Sequence, residues 1–176
     1  MIRPSAAALC GIAIGAAALA GCAGNNNPPP GSPSIYQSLA VADAKLDVNA
    51  AQAMISGYRT NNGLGPVSID PELTKLAGEQ AHAMAAQDRL DHSVWRPFQQ
   101  RIQQSSFDAA VAVENIGAGY HTLAEAFSGW RDSPPHRANM LNPAVTRMGI
   151  AAAYAPASKY KVFWSLILAK PDGPQG

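Results

Sequence analysis

The ten residues KVFWSLILAK, 161–170, are apolar on both alternations of an extended chain. Successive side chains of a strand point to opposite faces, so such a run needs apolar cover on each side. That requirement excludes a sheet with one solvated face and demands a layer above and a layer below. Just upstream, RMGIAAAY (147–154) places Met148, Ile150 and Ala152 on one side of a second strand, and YAPASKY (154–160) fits the hairpin between the two. AAVAVENIG (109–117) reads as a shorter strand that ends at Glu114.

The covering layers come from helices. Behind Asp47, residues Val48, Ala51, Ile55 and Tyr58 recur at helical spacing, and NNGLG closes the run with glycines. Asp70 and Pro71 open a second helix, the carboxylate capping free N–H groups and the proline fitting the first helical position. Its buried stripe is Leu73, Leu76, Ala77, Ala81 and Met84, and the pattern fades near Arg89. A weaker amphipathic piece lies around Trp95 to Ser106. Thr122 and Glu125 form a capping box ahead of Leu123, Ala126, Phe127 and Trp130, which share one face. Ser133 and Pro134 repeat the cap-then-proline logic, so PPHRANML is expected as a short helical turn that aims His136. Helices first, a strand between and a hairpin last define an α+β fold with a small antiparallel sheet sandwiched by helices.

The first residues are not fold. MIRPSAAALCGIAIGAAALAGC has one basic residue, Arg3, and then a weakly apolar run of Ala, Ile and Leu, the form of a secretory signal. It ends in LAGC, which resembles the lipobox of bacterial lipoproteins, with Cys22 as the acylated residue and new N-terminus. Residues 1–21 are therefore expected as signal peptide. Residues 22–45, rich at their start in Asn, Pro, Gly and Ser, are expected as a tether. The domain is placed at 46–172 and a short tail at 173–176. Cys10 leaves with the signal and Cys22 carries lipid, so no disulfide braces the domain. Thirteen Lys and Arg stand against twelve Asp and Glu, and Arg3 is lost with the signal. The mature surface is near neutral, which argues against a nucleic-acid partner.

Four histidines occur, at 82, 92, 121 and 136. His82 falls beside the stripe of the second helix and is expected as a partly buried packing residue. His121 precedes a cap in a loop and is expected to be solvated. His92, in RLDHSVW, and His136, behind the double proline, lie in loops flanked by Trp and Ser, where scaffold-held functional residues concentrate. Glu114 ends an otherwise uncharged strand and must be hydrogen-bonded or paired. His92, Glu114 and His136 would make a His₂Glu zinc set with an open fourth position, although no HExxH or CxxC motif supports it. Ser93 and Ser133 near histidines give only a weak nucleophile signal.

Taken in order, MISGYRTNNGLGPVSIDPELTKLAGEQAHAMAAQDRLDHS, VENIGAG, AFSGWRDSPPHRANMLNP, RMGIAAAY and FWSLILAKP resemble a bacterial member of the CAP superfamily. That superfamily includes cysteine-rich secretory proteins, venom antigens and plant pathogenesis-related proteins. The resemblance covers Asp47 to Pro171 and implies an α-β-α sandwich. It also implies a surface cleft with two histidines and two glutamates, of which His92, Glu114 and His136 match three. The second glutamate would fall three residues after Trp130, where this chain has Ser133, with Asp132 adjacent. Asn115, Trp130 and Ser133 would border the cleft. Members of the superfamily are linked to divalent-cation binding, to lipid binding and in a few cases to proteolysis.

Three functional expectations follow. The favoured one is a non-enzymatic binding module, lipid-anchored to the bacterial cell envelope, at the outer membrane or a periplasm-facing membrane where two are present. Its cleft would take a divalent cation such as zinc, or a small or lipidic ligand. The alternative is a metal-dependent hydrolase of ester or peptide bonds using the same three residues. In the third, the three side chains are a purely structural hydrogen-bond network.

Overall fold

A computed structural model describes residues 31–173. Four strands form one sheet in the order β1-β3-β4-β2, where β1 is Ser68–Ile69, β2 Ala109–Ala118, β3 Arg147–Ala155 and β4 Lys161–Pro171. The β2, β4 and β3 strands are antiparallel, as the sequence pattern implies. The two-residue β1 adds a parallel edge to β3, too short to leave any alternation in the sequence. The central strand, β4, is buried from Val162 to Ala169.

The two alternations of β4 face two cores. Val162, Trp164, Leu166 and Leu168 join Met148 and Ile150 against α1 (Val48–Asn61), α4 (Leu123–Asp132) and α5 (Pro134–Met140). On the opposite face Ile167 and Ala169 pack on Leu73, Leu76 and Ala77 of α2 (Pro71–Gln87) and on Ile102 of α3 (Phe98–Gln103). This is an α-β-α sandwich. The α2 helix lies so close to the sheet that a Cβ on Gly149 would stand 2.1 Å from the Leu73 carbonyl carbon, which explains a glycine inside β3.

The local signals act as expected in most elements. Asp47 caps α1 and Asp70 caps α2, and the Thr122–Glu125 capping box closes reciprocally. The α2 helix stops at Asp88, a left-handed residue whose N–H returns to the carbonyls of the last turn. Ser133 departs from expectation: it occupies the position before α5, yet its side chain makes no cap bond, so Pro134 and the backbone alone start the turn.

Several boundaries move. The β2 strand does not end at Glu114 but runs on to Ala118, because its pairing with β4 continues to Phe163. The expected tether does not extend to residue 45. A short 3-10 helix, Ser34–Tyr36, bonds to Asp47 through the Ser34 hydroxyl, and Leu39 is buried, its N–H donating to the His121 carbonyl. Apolar burial and two hydrogen bonds thus draw this segment onto the domain. The signal, the lipobox with Cys22 and residues 174–176 lie outside the described residues.

Candidate functional site

The β2 strand lies at the edge of the sheet, so elements from both helical layers reach around it. Glu114 faces the α2–α3 layer. Its neighbour Asn115 faces the α4–α5 layer, as strand alternation requires.

Glu114 is the centre of the first half. Its side chain is 1% exposed and its partner Arg101 is 0% exposed, so the pair is an ion pair inside the protein. Arg101 Nη2 donates to Oε1 and Oε2 of Glu114, each at 2.9 Å. Ser165 on β4 donates its hydroxyl to Oε1 at 3.1 Å, and the Nδ1 of His92 lies 2.8 Å from Oε2. Both carboxylate oxygens are thus engaged, by one Arg101 nitrogen shared between them, the Ser165 hydroxyl and the His92 ring. Arg101 also donates to the carbonyls of His92 and Arg96, fixing the loop that carries His92, and its guanidinium lies over the Phe98 ring. Its Nη1 is buried without a hydrogen-bond partner among the described residues.

The tautomer of neutral His92 follows from this geometry. A carboxylate paired with a buried guanidinium is an acceptor only, so Nδ1 must carry the proton it shares with Glu114. Nε2 then holds the free lone pair. The His92 side chain is 49% exposed, which leaves that nitrogen available to a ligand.

The second half is built from α5. Asn115 donates to the His136 carbonyl at 3.0 Å, and Asn139 donates both to Asn115 Oδ1 at 2.8 Å and to the Glu114 carbonyl at 3.2 Å. Two amides thus stitch the His136 turn to the strand that holds Glu114. Trp130 anchors the preceding helix. It is 1% exposed, donates from Nε1 to the Ile116 carbonyl at 3.1 Å, and meets Trp164 edge-to-face. The half-buried His136 imidazole has its pKa pushed below the usual histidine value, mainly by burial and secondarily by charge on His92.

The expected His₂Glu metal set is not what this arrangement offers. Among the described residues, no three His, Cys, Asp or Glu side chains are grouped so as to hold a metal ion. Glu114 itself is already bonded to Arg101, Ser165 and His92. Asp132 does not replace the missing acid either, since both its oxygens accept from Arg131 and this pairing holds its pKa down. The backbone N–H of Ser93 donates to the Asp91 carboxylate in a local turn. His121 is exposed, as expected. His82 is exposed rather than packed, because it turns away from the stripe onto the rim of an open pocket with Tyr154 and Ser158.

Sequence reasoning missed Arg101. A faint signal was present, since Phe98, Arg101 and Ile102 share one helical face, and both neighbours on that face are apolar. Arg59 was missed in the same way, although it continues the Ala51–Ile55 row of α1.

The fold and the ordered motifs agree with comparison to known proteins. A family model described as CAP, the cysteine-rich secretory protein family, matches residues 52–168, and the chain belongs to this family. It is similar to the uncharacterized protein YkwD of Bacillus subtilis (strain 168), at 29% identity over 125 residues, covering 63% of this chain and 48% of that protein. The chain thus spans about half the length of that curated relative. Among solved structures, an outer surface protein from Borrelia burgdorferi shares the fold with a TM-score of 0.66 at 21% identity, over 74% of this chain and 96% of the other. An extracellular protein containing an SCP domain, from Bacillus anthracis str. Ames, matches with a TM-score of 0.61 at 21% identity, over 69% of this chain and 39% of that one.

Proposed function

We propose that this protein is an envelope lipoprotein whose CAP domain binds a ligand without transforming it, using the imidazoles of His92 and His136. The observation that carries this reading is the full engagement of Glu114. A carboxylate bonded to a buried arginine, a serine and a histidine is not free to act as a general base, which removes the hydrolytic alternative's base. The same carboxylate orients His92 and leaves its Nε2 as a donor, the usual arrangement behind a metal-ligating histidine. Two imidazoles without a free acid suit a divalent transition cation such as zinc at modest affinity, with the remaining positions left to water or to a ligand's own donor group.

Anchoring rests on LAGC and the Pro- and Gly-containing segment after it, which would hold the domain away from a bilayer. No helix among the described residues is long and apolar enough to cross a membrane. An exported, surface-facing location agrees with what the names of the two structural relatives say of those proteins.

The test is a calorimetric zinc titration of the untagged full chain, with Cys10→Ser and Cys22→Ser introduced so that thiols do not compete. One zinc site is expected, lost in the His92→Ala, His136→Ala double variant. Absence of binding at neutral pH, or binding unchanged in the double variant, overturns the metal reading. Metabolic labelling with a fatty acid checks the anchor, which is refuted if wild type takes up no label or if Cys22→Ser remains labelled.

A further inference from the structure

We propose that the open outer edge of β3 takes an extended peptide as an added strand, with a basic side chain of that peptide seated at Asp88. This surface is separate from the histidines and Glu114, since β4 stands between β3 and β2. The β1 strand pairs with β3 only at Arg147 and Met148. Past Met148 no strand among the described residues lies on that side, and roughly 20 Å of edge stays open from Ile150 to Ala155. Two bonds fix which way its backbone groups point. The Met148 carbonyl faces outward, because it accepts from the Asp70 N–H, and the Val162 carbonyl of β4 faces away from β3, because it accepts from the Gly119 N–H. Alternation then turns Gly149, Ala151 and Ala153 toward β4 and leaves the N–H and C=O groups of Ile150, Ala152 and Tyr154 facing out. None of these outward groups has a hydrogen-bond partner among the described residues.

Native sheets ordinarily blunt such an edge with charged residues, proline or a bulge. The segment GIAAAYA, 149–155, has no charge and no proline, and its register with β4 is unbroken. The other edge strand, β2, does carry a register shift, between Ala109 and Val111. Where the open edge ends, a pocket of about 430 Å³ lies between the end of α2 and the hairpin that joins β3 to β4. Tyr154 of the edge lines it, and Ala85, Ala86, Pro156 and Ala157 give it apolar walls. Its one carboxylate is Asp88, and no Lys or Arg lines it. One Asp88 oxygen accepts from the Ser158 hydroxyl, and the other has no hydrogen-bond partner among the described residues. The cations nearby in sequence are engaged elsewhere: Arg89 pairs with Asp91, Lys159 lies over the Tyr160 ring, and Lys161 donates to the Pro156 carbonyl. The C-terminus of α2 adds its negative dipole end, and no basic residue stands in that last turn. Backbone bonds along the edge, and a pocket that takes an apolar stem with a cationic head, together fit an extended peptide bearing Lys or Arg.

Amide hydrogen exchange and ¹H–¹⁵N spectra of the full chain, with both cysteines replaced by serine, test this with the end-blocked peptide TVTKTVT as probe. The controls are TVTETVT and a TVTKTVT methylated at every backbone nitrogen. In the free protein the amides of Ala152 and Tyr154 are expected to exchange much faster than those of Ala151 and Ala153. Saturation with TVTKTVT is expected to slow the first two about tenfold or more, because each enters a ladder bond. TVTETVT is expected to bind more weakly and the methylated peptide not at all. Asp88→Asn removes the charge alone, since asparagine tolerates the left-handed backbone of that position and its carbonyl can still accept from Ser158. It is expected to weaken TVTKTVT about two- to fivefold, the worth of one exposed ion pair, and to leave TVTETVT no weaker.

No binding of TVTKTVT at millimolar concentration overturns the proposal. So does binding that leaves the Ala152 and Tyr154 amides unprotected, or that survives backbone methylation. Equal affinity for TVTETVT, or an Asp88→Asn variant that binds TVTKTVT as wild type does, overturns the seating of a basic side chain at Asp88. Protection of the two amides in the free protein that grows with protein concentration would assign the edge to a second copy of this chain and overturns the proposal as well. None of these readouts involves zinc, His92 or His136, so the outcome is independent of the proposed function.

Discussion

Replacing Arg59 by methionine should cost the fold about 3 kcal/mol. Arg59 sits in the last turn of α1 and is 1% exposed. Its Nε donates to the Gly65 carbonyl at 2.8 Å, Nη1 to those of Met140 and Asn142 at 2.8 and 2.9 Å, and Nη2 to that of Val145 at 3.0 Å. One guanidinium thus holds the end of α1, the loop after it and the segment that follows α5. Methionine keeps the volume and removes every donor. The bonds to Met140 and Val145 are buried, and an orphaned buried acceptor costs about 1–3 kcal/mol. The carbonyls of Gly65 and Asn142 lie nearer the surface and can rehydrate. Part of the loss is offset because burial already disfavours the charge, as the lowered pKa of Arg59 shows. A net loss of about 3 kcal/mol lowers the melting temperature by roughly 6–12 °C for a domain of this size. Urea unfolding and thermal melts of wild type, Arg59→Met and Arg59→Lys measure it, with lysine intermediate because one ammonium has three donors at most. A loss below about 1 kcal/mol for methionine would refute the reasoning, since the buried carbonyls would then have found other partners.

Two further predictions concern other parts of the molecule. Gly149→Ala should destabilise the fold by more than about 2 kcal/mol, or prevent folding, because the new methyl meets the Leu73 backbone; near-neutral melting would show that α2 can lift off β3. Stability should also fall with acidification through His136. Its folded pKa lies below that of the unfolded chain, so the unfolded state takes the proton first and stability is lost as pH falls below about 6.5, levelling once the folded state is protonated too. Urea unfolding at several pH values should show a shallower slope in that window for His136→Gln, and equal slopes would reject the effect.

The frame was legible where a single physical requirement dominates. KVFWSLILAK admits nothing but a doubly covered strand, and Asp70-Pro71 and Thr122–Glu125 satisfy helix N-termini with bonds that recur in the structure. His92 and Glu114 stood out as oddly placed polar groups, and they prove to be hydrogen-bonded to each other. What remained hidden depends on partners far apart in sequence. A charged residue on an apolar helical face reads as solvated until its acceptors are known. The acceptors of Arg59 lie more than eighty residues away in three of four cases. The role of Glu114 changed for the same reason: its residue type allows a ligand, and only the position of Arg101 shows the carboxylate already engaged.

Glu114 orients His92 through Nδ1, and the proposed ligand binding through Nε2 depends on that orientation. Imidazole ¹⁵N spectroscopy of the neutral ring tests it most directly. The geometry predicts a His92 protonated at Nδ1, with Nε2 unprotonated and shifting when zinc is added. A His92 protonated at Nε2, or a zinc-induced shift confined to Nδ1, would contradict it.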